Sequence, residues 1–404
     1  MSSLPETAEL GPPANQRAIN LDWNAVQHLS EADWGILCAF LQNALLGSSE
    51  VETAVGALRA ELLELIAGGL VDRPRLLNLL SALAIFCRDS EFVIPVSAKE
   101  AELLAGLSLG RRIAEDLIIR CYRAVDEEEL TIDEIERLSP IADDTSLAVQ
   151  AMYEENPYPR WKELPVLQAS TEAIDCLIAG CGSGRHILAI AAASPRGRFV
   201  GVDLSRASLA YGLMKAKEHG ISNVRLVHGD ILKIAEIGIT FNHISAVGSV
   251  HHMRDPLSGV KALAGVLKPG GSIKLALYSK FGRTAQPAGI ELRQNLDIPA
   301  TREGIQKLRQ AIYSLPDDHP ARGVIKFSDF YSFSGCRDML FHVQEHNYTV
   351  PEIFDLIDAS GLRLESFRMR GEGKDVAQTR EGLTNLERTH PGFAGAMFRF
   401  TLIN

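Results

Sequence analysis

The 404-residue sequence has little of what would tie a protein to a membrane, an oxidising compartment or a polyanion. No apolar run is long enough to cross a bilayer, and the polar, mildly acidic first residues do not resemble a signal peptide. The six cysteines lie far apart without a C-x-x-C pair, which predicts reduced, buried thiols. Lys and Arg form no run, and a net charge of -10 disfavours nucleic acid and anionic lipid as partners. We therefore expect a cytoplasmic protein.

The hydrophobic pattern divides the chain into regions of different texture. A disordered lead is predicted for 1–20 and a helical domain for 21–150. An α/β domain is predicted for 151–404, with a helical insertion at about 281–350.

Capping boxes predict helix starts in the N-terminal region at Ser49, Ser97 and Thr131, each with a glutamate three residues later. The third box leads into IDEIERL, whose apolar spacing is helical. The segment RLLNLLSALAIFC is apolar nearly all round and predicts a buried helix. No internal repeat of fixed period is present in the sequence of this region.

After Trp161, short apolar runs alternate with helical patterns. The runs are AIDCLIAG, RFVGVDLS, VRLVHGDI, HISAVGSV and SIKLALYS, and each is bounded by turn residues. Strands that alternate with helices predict right-handed crossovers and a parallel sheet buried on both faces. Nearer the C-terminus, LRLESFRM and AMFRFTLI alternate in polarity and predict two closing strands.

Gly180, Gly182 and Gly184 follow the first predicted strand at every second position. Ligands of open parallel sheets bind beyond the C-terminal strand ends, and glycine lets a ligand approach the backbone. A dinucleotide fingerprint would need Gly or Ala where Arg185 stands, and a phosphate-binding loop would need G-K-[ST]. The pattern therefore favours a ligand that has an adenosine but no pyrophosphate.

Acidic residues end the next two predicted strands. Asp203 lies nineteen residues after Gly184, where a carboxylate can bind both ribose hydroxyls. Asp230 ends the third strand, where its carboxylate can accept from an adenine amino group. Either residue alone would also serve as a helix N-cap. Glycines and acids at three successive strand ends together predict an adenosine site.

At these motifs the sequence resembles class I S-adenosylmethionine-dependent methyltransferases, over about 145–404. GSVHHMRDP is similar to the GVLHHxxDP of that family, and VLKPGGSIKLALYS resembles its fifth strand. The resemblance implies a Rossmann-like seven-stranded sheet of order 3-2-1-4-5-7-6 with an antiparallel seventh strand. AMYEENPYPRW, SGCRDMLFHVQEH and HPGFAGAMFRF also resemble a bacterial branch often associated with tetratricopeptide repeats, although the repeat signature is missing here.

The resemblance implies S-adenosylmethionine as cofactor and S-adenosylhomocysteine as its product. It also implies that the segment before the first strand folds over the cofactor, with Arg160 on the methionyl carboxylate and Tyr153 or Tyr158 closing the lid. The alternative is a rigid interdomain linker packed by Trp161. The cofactor-binding residues expected on this basis are Tyr153, Arg160, Gly180, Cys181, Gly182, Gly184, Asp203, Leu204, Ser205, Asp230, Ile231 and Gly248.

His251 and His252, at the end of the fourth strand, are the candidate general bases, because imidazole titrates near neutral pH. The alternative is that one packs against the sheet and the other caps a turn. His342 and His346 are reserve candidates, and their H-x-x-E-H pattern, which would put both on one helix face, also occurs in zinc proteases. No further ligand-bearing helix is evident in the sequence, so we expect no metal.

The insertion is the expected source of substrate contacts. We expect methyl transfer to a hydroxyl or amine of a small metabolite or natural product. The alternatives are a peptide or protein side chain as acceptor, and a regulator that binds the cofactor without catalysis. A nicotinamide oxidoreductase is opposed by Arg185. The residues expected to line the substrate pocket are Tyr158, Tyr278, Tyr331, Arg337, His342, Glu345 and His346.

Overall fold

The computed structural model describes residues 26–68, 74–91, 93–94, 96–106, 131–368 and 376–404. The predicted disordered lead at 1–20 lies outside these residues. Within them the chain forms a mixed sheet with helices around it and a helical region on the N-terminal side. Of the helices in these ranges, none is long and apolar enough to cross a bilayer.

The sheet follows the predicted order. Its strands run β4-β3-β2-β5-β6-β9-β8, with β1 at the edge beside β4 and β7 beside the end of β6. The pairs β6–β9 and β8–β9 are antiparallel, and the other pairs are parallel. The seven central strands therefore confirm the order 3-2-1-4-5-7-6. The strands are β1 Glu136–Arg137, β2 Asp175–Ala179, β3 Arg198–Asp203, β4 Val224–His228, β5 Phe241–Val247, β6 Leu267–Ser279, β7 Asn347–Tyr348, β8 Arg363–Arg368 and β9 Met397–Ile403.

Both faces of the central strands are buried, as their continuous apolar composition requires. In β2, Leu177 and Ala179 belong to one hydrophobic cluster, while Cys176 and Ile178 belong to another. Since successive side chains of a strand point to opposite faces, each face of β2 has its own core. The polar groups of the site are therefore confined to the strand ends.

Four helices precede the sheet in the described residues: α1 Glu31–Asn43, α2 Ser49–Ala67, α3 Pro74–Asp89 and α4 Ala98–Gly106. The predicted buried helix is confirmed by α3, in which Leu79 and Phe86 have no accessible surface. The capping box of α4 is also confirmed. The Glu100 N–H donates to the Ser97 hydroxyl at 3.2 Å, and the Ser97 N–H donates to the Glu100 carboxylate at 2.8 Å.

Of the other two predicted helix starts, the one at Ser49 is confirmed, because α2 begins at that residue, and the one at Thr131 is wrong. Ser48, one residue before Ser49, caps α2 by accepting from the Val51 N–H at 3.3 Å. At Thr131 no helix begins that continues through IDEIERL, because the chain leaves the helical conformation after residue 132 and forms β1. Parallel pairing of β1 with β4 outweighs the local helical pattern, as tertiary pairing often does.

The remaining helices connect the strands, and three α-helices with two 3₁₀ segments build the insertion between β6 and β7. Short 3₁₀ segments lie at Ile231–Ile237, Val250–His252, Pro320–Lys326 and Ser328–Tyr331. The longer helices are α5 Asp144–Glu155, α6 Arg185–Ala193, α7 Arg206–Glu218, α8 Pro256–Gly265, α9 Ala285–Asn295, α10 Arg302–Tyr313, α11 Phe333–Phe341, α12 Val350–Ser360 and α13 Arg380–Thr389.

The N-terminal helices and the insertion share one hydrophobic core. Leu58 of α2, Phe86 of α3 and Leu308 of α10 all belong to it and have no accessible surface. Arg309 of α10 is fully buried in this core and pairs with Glu52 of α2 at 2.7 Å. Because the insertion leaves from the C-terminal end of β6, this helical unit is attached at the edge of the sheet where ligands bind.

Candidate active site

The loop between β2 and α6 requires glycine. Gly180, Gly182 and Gly184 have φ angles of 72°, 51° and 82°, in the left-handed region. A Cβ added at Gly180 would overlap the side chain of Ser249, and one at Gly182 would lie 2.6 Å from the carbonyl oxygen of Tyr158. Side chains at these positions would have to displace neighbouring atoms, so the loop closely approaches its surroundings.

Asp203, at the end of β3, is held directly by this loop. Its carboxylate accepts from the Gly182 N–H at 2.7 Å and from the Ser205 N–H at 2.9 Å. Burial raises the pKa of Asp203, and the N–H donors oppose that rise. A carboxylate oxygen has capacity for more than one donor, so the group can still accept a ribose hydroxyl. Leu204 follows it, and Ser205 caps α7.

Asp230 is buried at the end of β4 and caps the 3₁₀ segment that begins at Ile231, accepting from the Leu232 N–H at 2.9 Å. Asp230 is therefore an N-cap residue, as the alternative interpretation expected. Its second carboxylate oxygen accepts no hydrogen bond from the described residues, so it is available to an adenine amino group. Cys181 is buried, which raises the pKa of its thiol. Gly248 follows β5 with a φ of 86°.

The segment from Tyr153 to Trp161 packs on the glycine loop. The Ser183 N–H donates to the Tyr158 carbonyl at 3.1 Å, and the Trp161 indole N–H donates to the Ser183 carbonyl at 3.0 Å. Arg160 pairs with Glu91 of the N-terminal region at 3.5 Å. Its guanidinium thus has a protein partner, and its pairing with a methionyl carboxylate stays a prediction.

His251 and His252 follow β5 in the 3₁₀ segment, where burial lowers the pKa of each imidazole, to about 3 for His251. His251 has no accessible surface, and neither ring nitrogen has a hydrogen-bond partner among the described residues. The His252 ring stacks on His342 at 3.6 Å between centroids, and its Nδ1 lies 2.8 Å from the Gln344 carbonyl. Because a carbonyl only accepts, Nδ1 of His252 carries the proton and Nε2 has a lone pair.

The prediction that His342 and His346 share a helix face is wrong, because α11 ends at Phe341. His342 is the C-cap residue, and its Nδ1 accepts from the Gln344 N–H at 3.2 Å. The His346 N–H donates to the His251 carbonyl at 2.8 Å. These contacts with the loop after β5 pull the chain out of the helix. The structure therefore brings His342, but not the His346 ring, against His252.

Two carboxyl groups that the sequence analysis missed lie beside these rings. The Tyr153 hydroxyl donates to Asp338 in α11, and the Tyr158 hydroxyl donates to Asp329 at 2.9 Å. Burial raises the pKa of Asp338 to about 7 and also raises that of Asp329. The available signal was the spacing of Asp338 and His342, four residues apart on an otherwise apolar segment.

The other expected pocket residues are only partly assembled here. Arg283 pairs with Glu345 and lies 3.6 Å from the centroid of the Tyr278 ring, so these residues border the histidines. Arg337 pairs with Glu155 at the surface end of α5. Tyr331 is buried in the core shared with the N-terminal helices and is not brought to the histidines.

Among the described residues, one group of side chains is close enough together to hold a metal ion. Ligand atoms of His252, Asp338 and His342 lie within 4.8 Å of one another. Nδ1 of His342 already accepts a backbone N–H, so a neutral ring carries its proton on Nε2 and offers no free lone pair. A metal-bound imidazole needs the opposite pattern, with its second nitrogen donating. The hydrogen bond from Gln344 therefore does not orient the His342 ring as a metal ligand.

Parts of the chain are similar to known proteins. Residues 176–271 match the sequence family described as "Methyltransferase domain". An uncharacterized protein of Synechococcus sp. is 27% identical over 203 residues, 48% of each chain. The demethylmenaquinone methyltransferase of Anoxybacillus flavithermus is 32% identical over 129 residues, 32% of this chain and 51% of that protein. Among solved structures, PKMT2 from Rickettsia typhi in complex with AdoHcy gives a TM-score of 0.48 at 15% identity, over 65% of this chain and 53% of that one.

The chain spans about half the length of the curated relatives it matches. The matched residues include β2 to β5 and the first part of β6, which are the strands that carry the glycine loop, Asp203, Asp230 and His252. Residues 176–271 are therefore similar to methyltransferase domains, and the glycine loop and both acidic strand ends lie inside this matched range.

Proposed function

We propose that the chain transfers the methyl group of S-adenosylmethionine to a hydroxyl or amine of a small acceptor. The observation that carries this proposal is that Tyr153 and Tyr158 touch both halves of the site. The Tyr153 carbonyl accepts from Ser205, beside Asp203, and the Tyr158 carbonyl accepts from the glycine loop. The hydroxyls of the same two residues bond to Asp338 and Asp329. A bound cofactor and an acceptor would thus share one wall.

The cofactor supplies a methyl group on a positively charged sulfur. In this proposal Asp203 accepts from the ribose hydroxyls and Asp230 accepts from the adenine amino group. The glycine loop leaves room for the ligand beside the backbone. The Tyr153–Trp161 segment covers the site and excludes water, and alignment of the two reactants provides much of the rate.

We assign the general base to His252 rather than His251. Its Nε2 has a lone pair, as the hydrogen bond of Nδ1 to Gln344 requires, and its ring stacks on His342, which in turn contacts Tyr153. His251 is enclosed behind it, with its ring centroid 3.9 Å from that of Tyr278. In this role His252 takes the proton of the acceptor, while His251 positions the neighbouring rings.

A small acceptor is favoured over a peptide because three parts of the chain surround the acceptor wall. These are the Tyr153–Trp161 segment, the loop after β5, and the insertion, which is itself backed by the N-terminal helices. Such an enclosure is typical of sites that bury most of a small ligand.

Calorimetric titration with S-adenosylhomocysteine tests the cofactor assignment. Asp203→Ala should weaken binding by about 10- to 100-fold, because a buried charged acceptor contributes about 1.5–3 kcal/mol. Asp317→Ala is the matched control, since that side chain is 98% exposed. Unchanged affinity in Asp203→Ala would contradict the assignment, as would saturable binding of NAD without any response to S-adenosylhomocysteine.

A further inference from the structure

Aromatic rings surround two carboxyl groups at the proposed acceptor site. The ring of Tyr153 lies 6.2 Å from that of Tyr158 and 5.9 Å from that of His342, measured between centroids. The ring of Tyr278 lies 5.6 Å from that of His252 and closes the other side. The three tyrosines and His342 keep part of their surface accessible although neighbours pack closely around them. These rings therefore form a partly accessible aromatic cluster.

The carboxyl groups beside these rings outnumber the cationic side chains there. Asp329 and Asp338 each accept from a tyrosine hydroxyl, and neither forms an ion pair with a side chain in the described part of the chain. Arg283, which acts electrostatically on Asp338, pairs with Glu345 and lies over the face of Tyr278. Asp329 and Asp338 therefore have no ion-pair partner among the described residues that compensates their charge.

This imbalance distinguishes between the two acceptor classes. A hydroxyl acceptor needs a base, which His252 already supplies, and gains nothing from two further carboxyl groups. Burial raises the pKa of Asp338 to about 7, and a bound ammonium group would favour its ionised form. Aromatic faces attract cations within about 6 Å of the ring centroid. The charge and the rings therefore favour the same class of ligand.

We propose that the acceptor is a primary or secondary amine, bound as its ammonium form against Asp338 and the rings of Tyr153 and Tyr158. The proposal rests on the proposed methyl transfer. In the reaction, the ammonium gives one proton to Nε2 of His252, and the freed nitrogen lone pair attacks the methyl carbon. The carbon–sulfur bond breaks, its electron pair stays on sulfur, and the products are neutral S-adenosylhomocysteine and a methylated ammonium.

Matched pairs of probes that differ only in ammonium or hydroxyl test the proposal. We choose n-butylamine against n-butanol, phenethylamine against 2-phenylethanol, and Nα-acetyl-lysine amide against its 6-hydroxynorleucine counterpart. Each is titrated calorimetrically into the full chain saturated with S-adenosylhomocysteine, whose sulfur carries no charge. At least one amine should bind at least about tenfold more tightly than its alcohol.

Asp338→Asn should remove this preference, while Asp317→Asn, at a side chain that is 98% exposed, should retain it. Circular dichroism checks the folding of each variant, and Asp329→Asn replaces Asp338→Asn if the latter does not fold. With radiolabelled S-adenosylmethionine and the preferred amine, Asp338→Asn should mainly raise KM, whereas His252→Asn should mainly lower kcat, by about 10²–10⁴-fold.

Equal binding of amines and alcohols, or binding of neither, would overturn the amine proposal while leaving cofactor binding intact. Loss of amine binding on addition of EDTA would also overturn it, since a metal would then be holding the ligand. Absence of S-adenosylhomocysteine binding in the first step would instead reject the proposed function. The two failures are therefore distinguishable.

Discussion

Arg309 offers the sharpest test of how the helical unit is held together. Its side chain has no accessible surface and donates to Glu52 at 2.7 Å, to the Val93 carbonyl at 3.0 Å and to the Phe330 carbonyl at 2.8 Å. Arg309→Met keeps most of the volume but removes all three bonds. It leaves a buried carboxylate whose described partner is the Tyr313 hydroxyl at 2.6 Å.

Removing one member of a buried ion pair typically costs about 3–5 kcal/mol, because the other charge is left without compensation. Glu52→Gln keeps the shape and should cost less, about 1.5–3 kcal/mol. In the double variant no charge is stranded, so its cost should fall below the sum of the two single costs by about 1–3 kcal/mol. The exposed pair Arg225–Glu136, with side chains 43% and 47% accessible, is the control and should contribute at most about 1 kcal/mol.

Urea unfolding at pH 7.5 measures these free energies, and hydrogen exchange in α2 and α10 identifies the elements that open. We expect Arg309→Met to accelerate exchange in both helices together. If Arg309→Met costs no more than Arg225→Met, or if α10 opens while α2 stays protected, the shared core does not depend on this pair and the reasoning fails.

Two further predictions concern the site. Gly182→Ala should weaken S-adenosylhomocysteine binding by at least about tenfold, because the added Cβ would lie 2.6 Å from the Tyr158 carbonyl. Gly220→Ala is the control, because Gly220 has a similar φ of 65° but no atom within 4 Å of an added Cβ. An equal loss of binding in Gly220→Ala would contradict the steric argument. Burial, aided by Asp329, raises the pKa of Asp338 from 3.8 to about 7, against the opposing effects of Tyr153 and Arg283, so the folded chain holds a proton that the unfolded chain releases. Stability should therefore fall as pH rises from about 4 to about 7, and the decrease should be smaller in Asp338→Asn; thermal unfolding across this range checks it, and an identical pH profile in the variant would refute the assignment.

The sheet and the cofactor half of the site are predictable from sequence because their signals are local. A strand buried on both faces is a continuous apolar run, and the residues at its C-terminal end must lie at the ligand edge of a parallel sheet. The glycine loop, Asp203 and Asp230 all follow such runs directly. The strand order could not be predicted in this way, since it came from the resemblance to a family rather than from the spacing of the residues.

The acceptor half was missed because distant segments assemble it. Asp329 precedes a fully buried phenylalanine in a short 3₁₀ segment, and nothing local marks it as facing Tyr158. Helical periodicity alone predicts a helix that continues to His346. The helix α11 instead ends at Phe341, because the residues that follow contact the loop after β5. The helix predicted for IDEIERL is wrong for the same reason, because parallel pairing with β4 at the edge of the sheet determines the conformation of this segment.

The two halves also differ in what stabilises them, and this has a functional consequence. The cofactor loop is fixed by hydrogen bonds within the α/β domain, such as that from Gly182 to Asp203. The acceptor wall depends on the insertion: Arg309 binds the carbonyl of Phe330, the residue directly after Asp329, while its other end pairs with the N-terminal helix α2. A change in α2 would therefore reach Phe330, beside Asp329, through Arg309, while the glycine loop keeps its own hydrogen bond to Asp203. For the proposed methyl transfer, we expect variants of α2 to alter acceptor binding more than cofactor binding.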